Sequence, residues 1–312
     1  MERGLKRMGR RISRSAVTLA MAVFVAACTG AVPSSVPPVP SAPPSPASSP
    51  AGPPAPAYRL RATTTQAIPP INRFGLLPMV TITGDNSVVV AGPQIMIYPG
   101  PLLPNLQARP ITDAGFEKIV QRGRDLGMFT GSGDFTPPDV MPGAQLGRIE
   151  IVVDGVLHDL TGDPSRVIVC ITTPCDPAPG TPEAFGAFWA SLSDLTWLAG
   201  DLGAEAPYVA DSYALLIGVE PADGPGIGPS VAIWPLEQPI ATLGKPVGSA
   251  PAPRCGTVRG ADAATLRPSL ESANQLTRWV DEAADRADAT PLQVRPMVPG
   301  EDVCLEVFGL SE

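Results

Sequence analysis

Between Thr29 and Ala57 the chain carries eleven prolines in 29 residues, and almost all the others are Ser, Ala, Val and Gly. Such a stretch has no apolar face to bury, and proline removes the amide donors that a helix or sheet interior needs. It favours extended polyproline II at ~3.1 Å per residue, a spacer of up to roughly 90 Å. Folding is therefore confined to Tyr58–Glu312, about 255 residues, enough for one large domain or two small ones with an apolar core.

What precedes the tract explains why a spacer is there. Arg3, Lys6, Arg7, Arg10, Arg11 and Arg14 form a basic segment, followed by an apolar run from Ala16 to Ala27. A dozen residues are too few to cross a ~30 Å hydrocarbon core as a helix, so the run reads as an export signal. Its end, Val25-Ala26-Ala27-Cys28, resembles the bacterial lipobox, with an aliphatic residue three before the cysteine and small residues beside it. The organisation expected is a signal peptide over 1–27, a linker over 28–57 attached to the membrane through an acylated Cys28, and a folded region over 58–312, with candidate halves 58–200 and 205–312. Arg10-Arg11 sits poorly in a twin-arginine pattern, and the general secretory route is the better match.

Loss of residues 1–27 removes six basic residues and one acidic one, leaving 16 basic against 29 acidic and a net charge of −13. An acidic surface with Lys118 and Lys245 as its only lysines excludes nucleic acid as a partner and argues against adsorption to anionic lipid.

Four cysteines remain, Cys170, Cys175, Cys255 and Cys304, an even number in an exported chain. Three connectivities exist. The favoured one joins Cys170 to Cys175 around a Thr/Pro loop and Cys255 to Cys304, because each pair then stays within one structural unit. A structural zinc site fits less well, since C-x4-C is not the usual knuckle spacing and the single histidine is far away in sequence.

The periodicities predict an α+β fold, mainly antiparallel sheet with helices packed on one face. Met79–Thr83 and Ser87–Ala91 are β-branched runs around Gly84-Asp85-Asn86, and Ile95–Tyr98 reads as a further strand. Thr112 offers an N-cap to a helix with Phe116, Ile119, Val120 and Leu126 on one face. Arg148–Leu160 reads as a hairpin turning at Asp154-Gly155, which puts Ile149, Ile151, Val153, Val156, His158 and Leu160 on one face and Glu150, Asp154 and Asp159 on the other. Thr181-Pro182-Glu183 starts a second helix with a Phe185, Phe188, Trp189, Leu192 and Leu195 stripe, ended by Gly200. Strands are expected at Tyr213–Val219 and Leu292–Met297, and a helix over Ala261–Leu276 that starts properly at Pro268. Val231–Pro235 echoes Ile95–Pro99 as an apolar run ending in aromatic-proline, which suggests a duplicated β-β-α-β unit.

Several of these motifs also carry a resemblance. Thr83-Gly84-Asp85, Pro110-Ile111-Thr112-Asp113-Ala114-Gly115, Leu126-Gly127-Met128-Phe129 and Ile151-Val152-Val153-Asp154-Gly155, with Arg254-Cys255-Gly256 and Gly260–Leu266 further on, resemble an uncharacterised family of bacterial, mainly actinobacterial-type, secreted lipoproteins. The resemblance implies location and fold, and no activity.

Candidate chemistry is sparse. His158, the sole histidine, would have to serve any Ser/His/Asp device, yet no nucleophile elbow exists, since Ser132 in Gly131-Ser132-Gly133 lacks a glycine two positions earlier. His158 reads instead as a core or edge residue. Gly224-Pro225-Gly226-Ile227-Gly228 loses an amide to its proline and is a loop rather than a phosphate cradle. Asp211, Glu220 and Asp223 lack calcium-loop spacing. No catalytic, cofactor or metal residue is assigned. Tyr98, Trp197, Tyr208 and Trp234 are the aromatics that could form a binding platform. Three classes follow: a non-catalytic envelope module binding a protein or small ligand, which the features favour, a cell-envelope hydrolase using carboxylates that spacing does not single out, and a purely structural subunit working by avidity at the membrane.

Overall fold

A computed structural model describes residues 57–66, 68–141, 143–166, 176–220, 227–248 and 252–310. The export segment, Cys28, nearly all of the proline tract, Cys170, Cys175 and Asp223 lie outside the described residues.

The first sheet is built from β1 (Tyr58–Thr65), β2 (Val80–Thr83), β3 (Ser87–Ala91), β4 (Leu106–Pro110), β5 (Asp134–Phe135), β6 (Leu146–Val153), β7 (Val156–Gly162) and β8 (Ala206–Pro207). Its eight strands run β5-β7-β6-β1-β2-β3-β4-β8, antiparallel except for β5 beside β7. Between β1 and β2 lies the short α1 (Pro70–Arg73), while α2 (Asp113–Asp125) and α3 (Pro182–Ser193) cover the sheet. Both long helices start as the sequence predicts. Thr112 Oγ1 accepts from the Gly115 amide at 3.0 Å, and Thr181 Oγ1 from that of Ala184 at 3.2 Å, each satisfying one orphan donor of the first turn.

The β6/β7 hairpin has the expected register, Val153 opposite Val156, Ile151 opposite His158 and Ile149 opposite Leu160. Asp154 and Asn86 both adopt positive φ, 52° and 62°; with Gly155 at 78°, the Asp154-Gly155 loop has the backbone a two-residue hairpin turn requires. Ile149, Ile151 and Leu160 are buried in a core with Leu60, Ile82, Phe116, Ile119, Phe185 and Phe188. Two strand glycines let α3 sit close: a Cβ on Gly147 would lie 2.6 Å from the Trp189 ring, and one on Gly162 2.6 Å from that of Phe185. On the outer face Arg148 grips Asp159 with two bonds, 2.8 and 2.7 Å.

That fork holds the Asp159 carboxyl below the usual aspartate range, with burial opposing it and the Arg148 charge adding to the lowering. A carboxylate with a folded-state pKa below its unfolded one contributes stability above the unfolded value and loses it as pH falls through the folded value. Asp159→Asn is therefore expected to cost no more than about 1 kcal/mol at pH 7, the pair being half exposed, and nothing near pH 2. Thermal melts of both proteins across that range check this.

Three expectations are corrected. Ile95–Tyr98 is not a strand, for reasons given with the site below. The helix expected to reach Gly200 stops at Ser193, because Asp194 leaves helical backbone and its side chain accepts from the Thr196 amide at 3.0 Å, capping a separate 3-10 turn over Leu195–Leu198. The helix expected over Ala261–Leu276 starts at Gly260, in keeping with that span, and not at Pro268, and it ends at Ser272.

The second sheet comprises β9 (Ser212–Ile217), β10 (Val231–Ile233), β11 (Lys245–Pro246), β12 (Arg254–Arg259), β13 (Arg278–Val280) and β14 (Thr290–Pro296), in the order β10-β13-β14-β9-β12-β11. That earlier-starting helix, α4 (Gly260–Ser272), carries Pro268 inside it and packs Ala263, Leu266 and Leu270 on Tyr213, Leu215, Trp279 and Leu292. On the sheet's other face Ala214, Leu216 and Met297 meet Phe74 beside α1 and Val303 of the short α5 (Val303–Phe308). Cys255 on β12 is disulfide-bonded to Cys304 on α5, one of the two pairs expected. Arg61 on β1 reaches both Glu150 Oε2 at 2.8 Å and Glu306 Oε1 of α5 at 2.9 Å, so α5 is bound to both sheets. The described residues belong to one compact unit, in which Phe74 and Leu102 of the first half serve the cores of the second sheet.

Candidate functional site

The connection from β3 to β4 runs Gly92-Pro93-Gln94-Ile95-Met96-Ile97-Tyr98-Pro99-Gly100-Pro101-Leu102-Leu103-Pro104-Asn105. Prolines at 93, 99, 101 and 104 withhold ladder donors on either side of the Ile-Met-Ile run, so the segment stays out of the sheet despite its β-branched composition. Its ends are tied down. The Gly92 amide donates to Asn105 O at 2.8 Å, Gln275 and Gly100 exchange two bonds of 3.0 and 3.2 Å, and the Leu102 amide donates to Ala273 O at 3.1 Å. The middle is held out: Ile95, Met96 and Ile97 are 68%, 96% and 57% exposed. Three consecutive large apolar side chains in water are costly at roughly 1.5–3 kcal/mol each, which marks the segment for contact with something else.

Opposite this segment lies β14. Its inner edge pairs with β9 from Leu292 to Pro296, whereas β13 meets its outer edge only at Thr290 and Pro291. The Gly218 amide donates to Pro291 O and the Met297 amide to Ser212 O, so the odd-numbered residues from 291 to 297 exchange bonds with β9. The amide and carbonyl of Val294 therefore point outward, along an edge with no strand partner among the described residues. Between edge and segment is a cleft of about 750 Å³, lined also by Phe74, Leu77, Leu102 and Gln275.

Among the described residues one charged side chain lines the cleft, that of Arg295, and it is buried. Its Nη1 donates to Phe74 O at 3.2 Å, its Nη2 is bonded to Glu301, and its Nε has no partner among the described residues. Glu301 also accepts from the Val298 amide at 2.9 Å. Burial pushes the Glu301 carboxyl up, against the lowering by Arg295 and the Val298 amide. The remaining polar side chains in reach are Gln94, Gln275, Gln293 and the Tyr98 phenol. Amides and backbone edges recognise donors and acceptors, and no nucleophile and base are brought together here.

The residues considered from sequence fall elsewhere, with one exception. His158 is half-buried with its ring 5.0 Å from that of Phe129, in the apolar setting expected of a structural residue. Glu220 is paired with Arg278 at 2.6 Å, and the described residues contain no cluster of three metal-capable side chains. The described residues of the glycine-proline loop, Ile227 and Gly228, are exposed. Trp234 is buried edge-on against Trp279 at 5.9 Å, Trp197 donates to Ser191 O at 2.8 Å, and the Tyr208 phenol, its pKa raised by burial, donates to Met297 O at 3.0 Å. Only Tyr98 of the four aromatics borders the cleft. In a second cleft of about 650 Å³, Asp139 and Asp163 both face Arg166 as ion-pair partners. Sequence reasoning missed Gln275, Gln293 and the open edge of β14; the spaced prolines around Ile95–Ile97 were the one readable signal.

Comparison with protein-family models, with curated proteins and with solved structures finds no match.

Proposed function

We propose that this protein is a membrane-anchored envelope lipoprotein that acts as a non-catalytic binding module, with the cleft between Ile95–Tyr98 and β14 as its binding site. The observation that carries this reading is the exposed Ile95-Met96-Ile97 run, fixed at both ends beside an apolar cleft whose polar groups suit recognition rather than proton transfer. The lipobox-like Val25–Cys28, the basic and apolar segments before it and the proline tract after it support location. Among the described residues no helix is long and apolar enough to cross a membrane, and the proposal gives attachment to the acylated Cys28.

Two measurements on the full chain test it. Cys28→Ala is expected to release the protein from membranes at alkaline pH, and retention there would refute lipid attachment. In-cell cross-linking of the anchored protein is expected to yield a reproducible adduct that Ile97→Asp removes; an adduct pattern indifferent to Ile97→Asp would refute the assignment of the cleft.

A further inference from the structure

We infer that the cleft takes an extended peptide segment of a partner protein, which adds to the outer edge of β14 as an extra strand. The inference rests on the binding reading above and adds the chemistry of the ligand. An apolar cleft alone would suit a hydrocarbon chain as well. What distinguishes a peptide is the wall: β14 turns the Val294 amide and carbonyl into the opening, and β13, the next strand in the sheet, pairs with it only at Thr290 and Pro291 among the described residues. Backbone donors and acceptors in an apolar setting cost free energy until they are paired, and an aliphatic chain pairs neither. A strand lying along the edge offers acceptors and donors at the same two-residue repeat.

The surroundings fit the alternating side chains of such a strand. One face would meet Phe74 and Leu77, and the exposed Ile95 and Ile97 stand across the gap from the edge. Arg295 and Glu301 neutralise one another, so the strand would be recognised through its backbone and apolar side chains rather than a charge. The same protein leaves its own nearest β-branched segment, Ile95–Tyr98, outside both sheets, which keeps the edge open.

The test uses the full chain and a fluorescein-labelled decapeptide of alternating valine and threonine with a lysine at each end. Val294→Pro removes the outward amide while leaving the β9 ladder intact, because that amide does not face β9. The expected result is saturable binding by wild type, weakened at least tenfold by Val294→Pro with an unchanged thermal midpoint, and weakened similarly when alternate peptide nitrogens are methylated. Absence of saturable binding by wild type, or binding indifferent to both changes, overturns strand addition. If Ile97→Asp abolishes binding while Val294→Pro does not, the cleft remains the site and the strand mode is wrong; if neither matters, the cleft reading falls too. Amide exchange at Val294 covers the case of a misfolded variant. It is expected to be fast in the free wild-type protein and slowed by the peptide, and slow exchange in the free protein would mean that the edge is already paired, which overturns the inference.

Discussion

Replacing Cys255 and Cys304 together by alanine is expected to lower the stability of the folded region by about 4 kcal/mol, from the closure entropy of a loop of 49 residues. For a region of this size that corresponds to a fall in thermal midpoint of about 8 °C. The bond ties α5 to β12, and α5 in turn supplies Glu306 to Arg61 and Val303 to the core under β9. Hydrogen exchange in the variant is therefore expected to rise first in α5 and at Arg61, before the β6/β7 hairpin is affected. A loss below about 1 kcal/mol in denaturant titrations, with α5 still protected, would contradict this account of how the C-terminal helix is held.

Arg61→Ala is expected to cost about 3–5 kcal/mol, the largest effect of a single substitution proposed for this protein. The guanidinium is almost fully buried, lies 4.9 Å over the Tyr58 ring and neutralises two carboxylates at once. Removing it leaves Glu150, itself buried, with the half-exposed Arg148 at 3.3 Å as its one counter-ion among the described residues. The cost is that of stranding a buried charge rather than of the pair's own strength, so Arg61→Met with Glu150→Leu is expected to recover most of the loss. Chemical denaturation of the two single variants and the double variant measures it. A double variant as unstable as Arg61→Ala would contradict the assignment.

The β6/β7 hairpin and the starts of α2 and α3 were legible because each is governed locally, by Asp154-Gly155, Thr112 and Thr181-Pro182 with the apolar pattern that follows. Burial of Glu150 was not legible. Alternation correctly puts it on the face opposite Ile149 and Ile151, but Arg61, which draws it out of water, lies 89 residues away in sequence. Ile95–Tyr98 misled for a related reason: β-branched composition describes a segment that fits a pleated sheet, and whether it joins one depends on flanking prolines and on where the edges are. The cleft is tertiary in the same sense. It is set by where the pairing of β13 with β14 ends, beside the turn at Asn274, whose amide donates to the Thr277 hydroxyl oxygen rather than to a strand.

The most direct measurement is photo-cross-linking in cells from position 97 of the anchored full chain, with a second probe at Leu157, an exposed apolar residue of the β6/β7 hairpin that does not line the cleft, as reference. The account predicts a discrete adduct from position 97, lost in Val294→Pro and absent from position 157. Equal adducts from both positions, or adducts from position 157 alone, would contradict the cleft as the working surface of this protein.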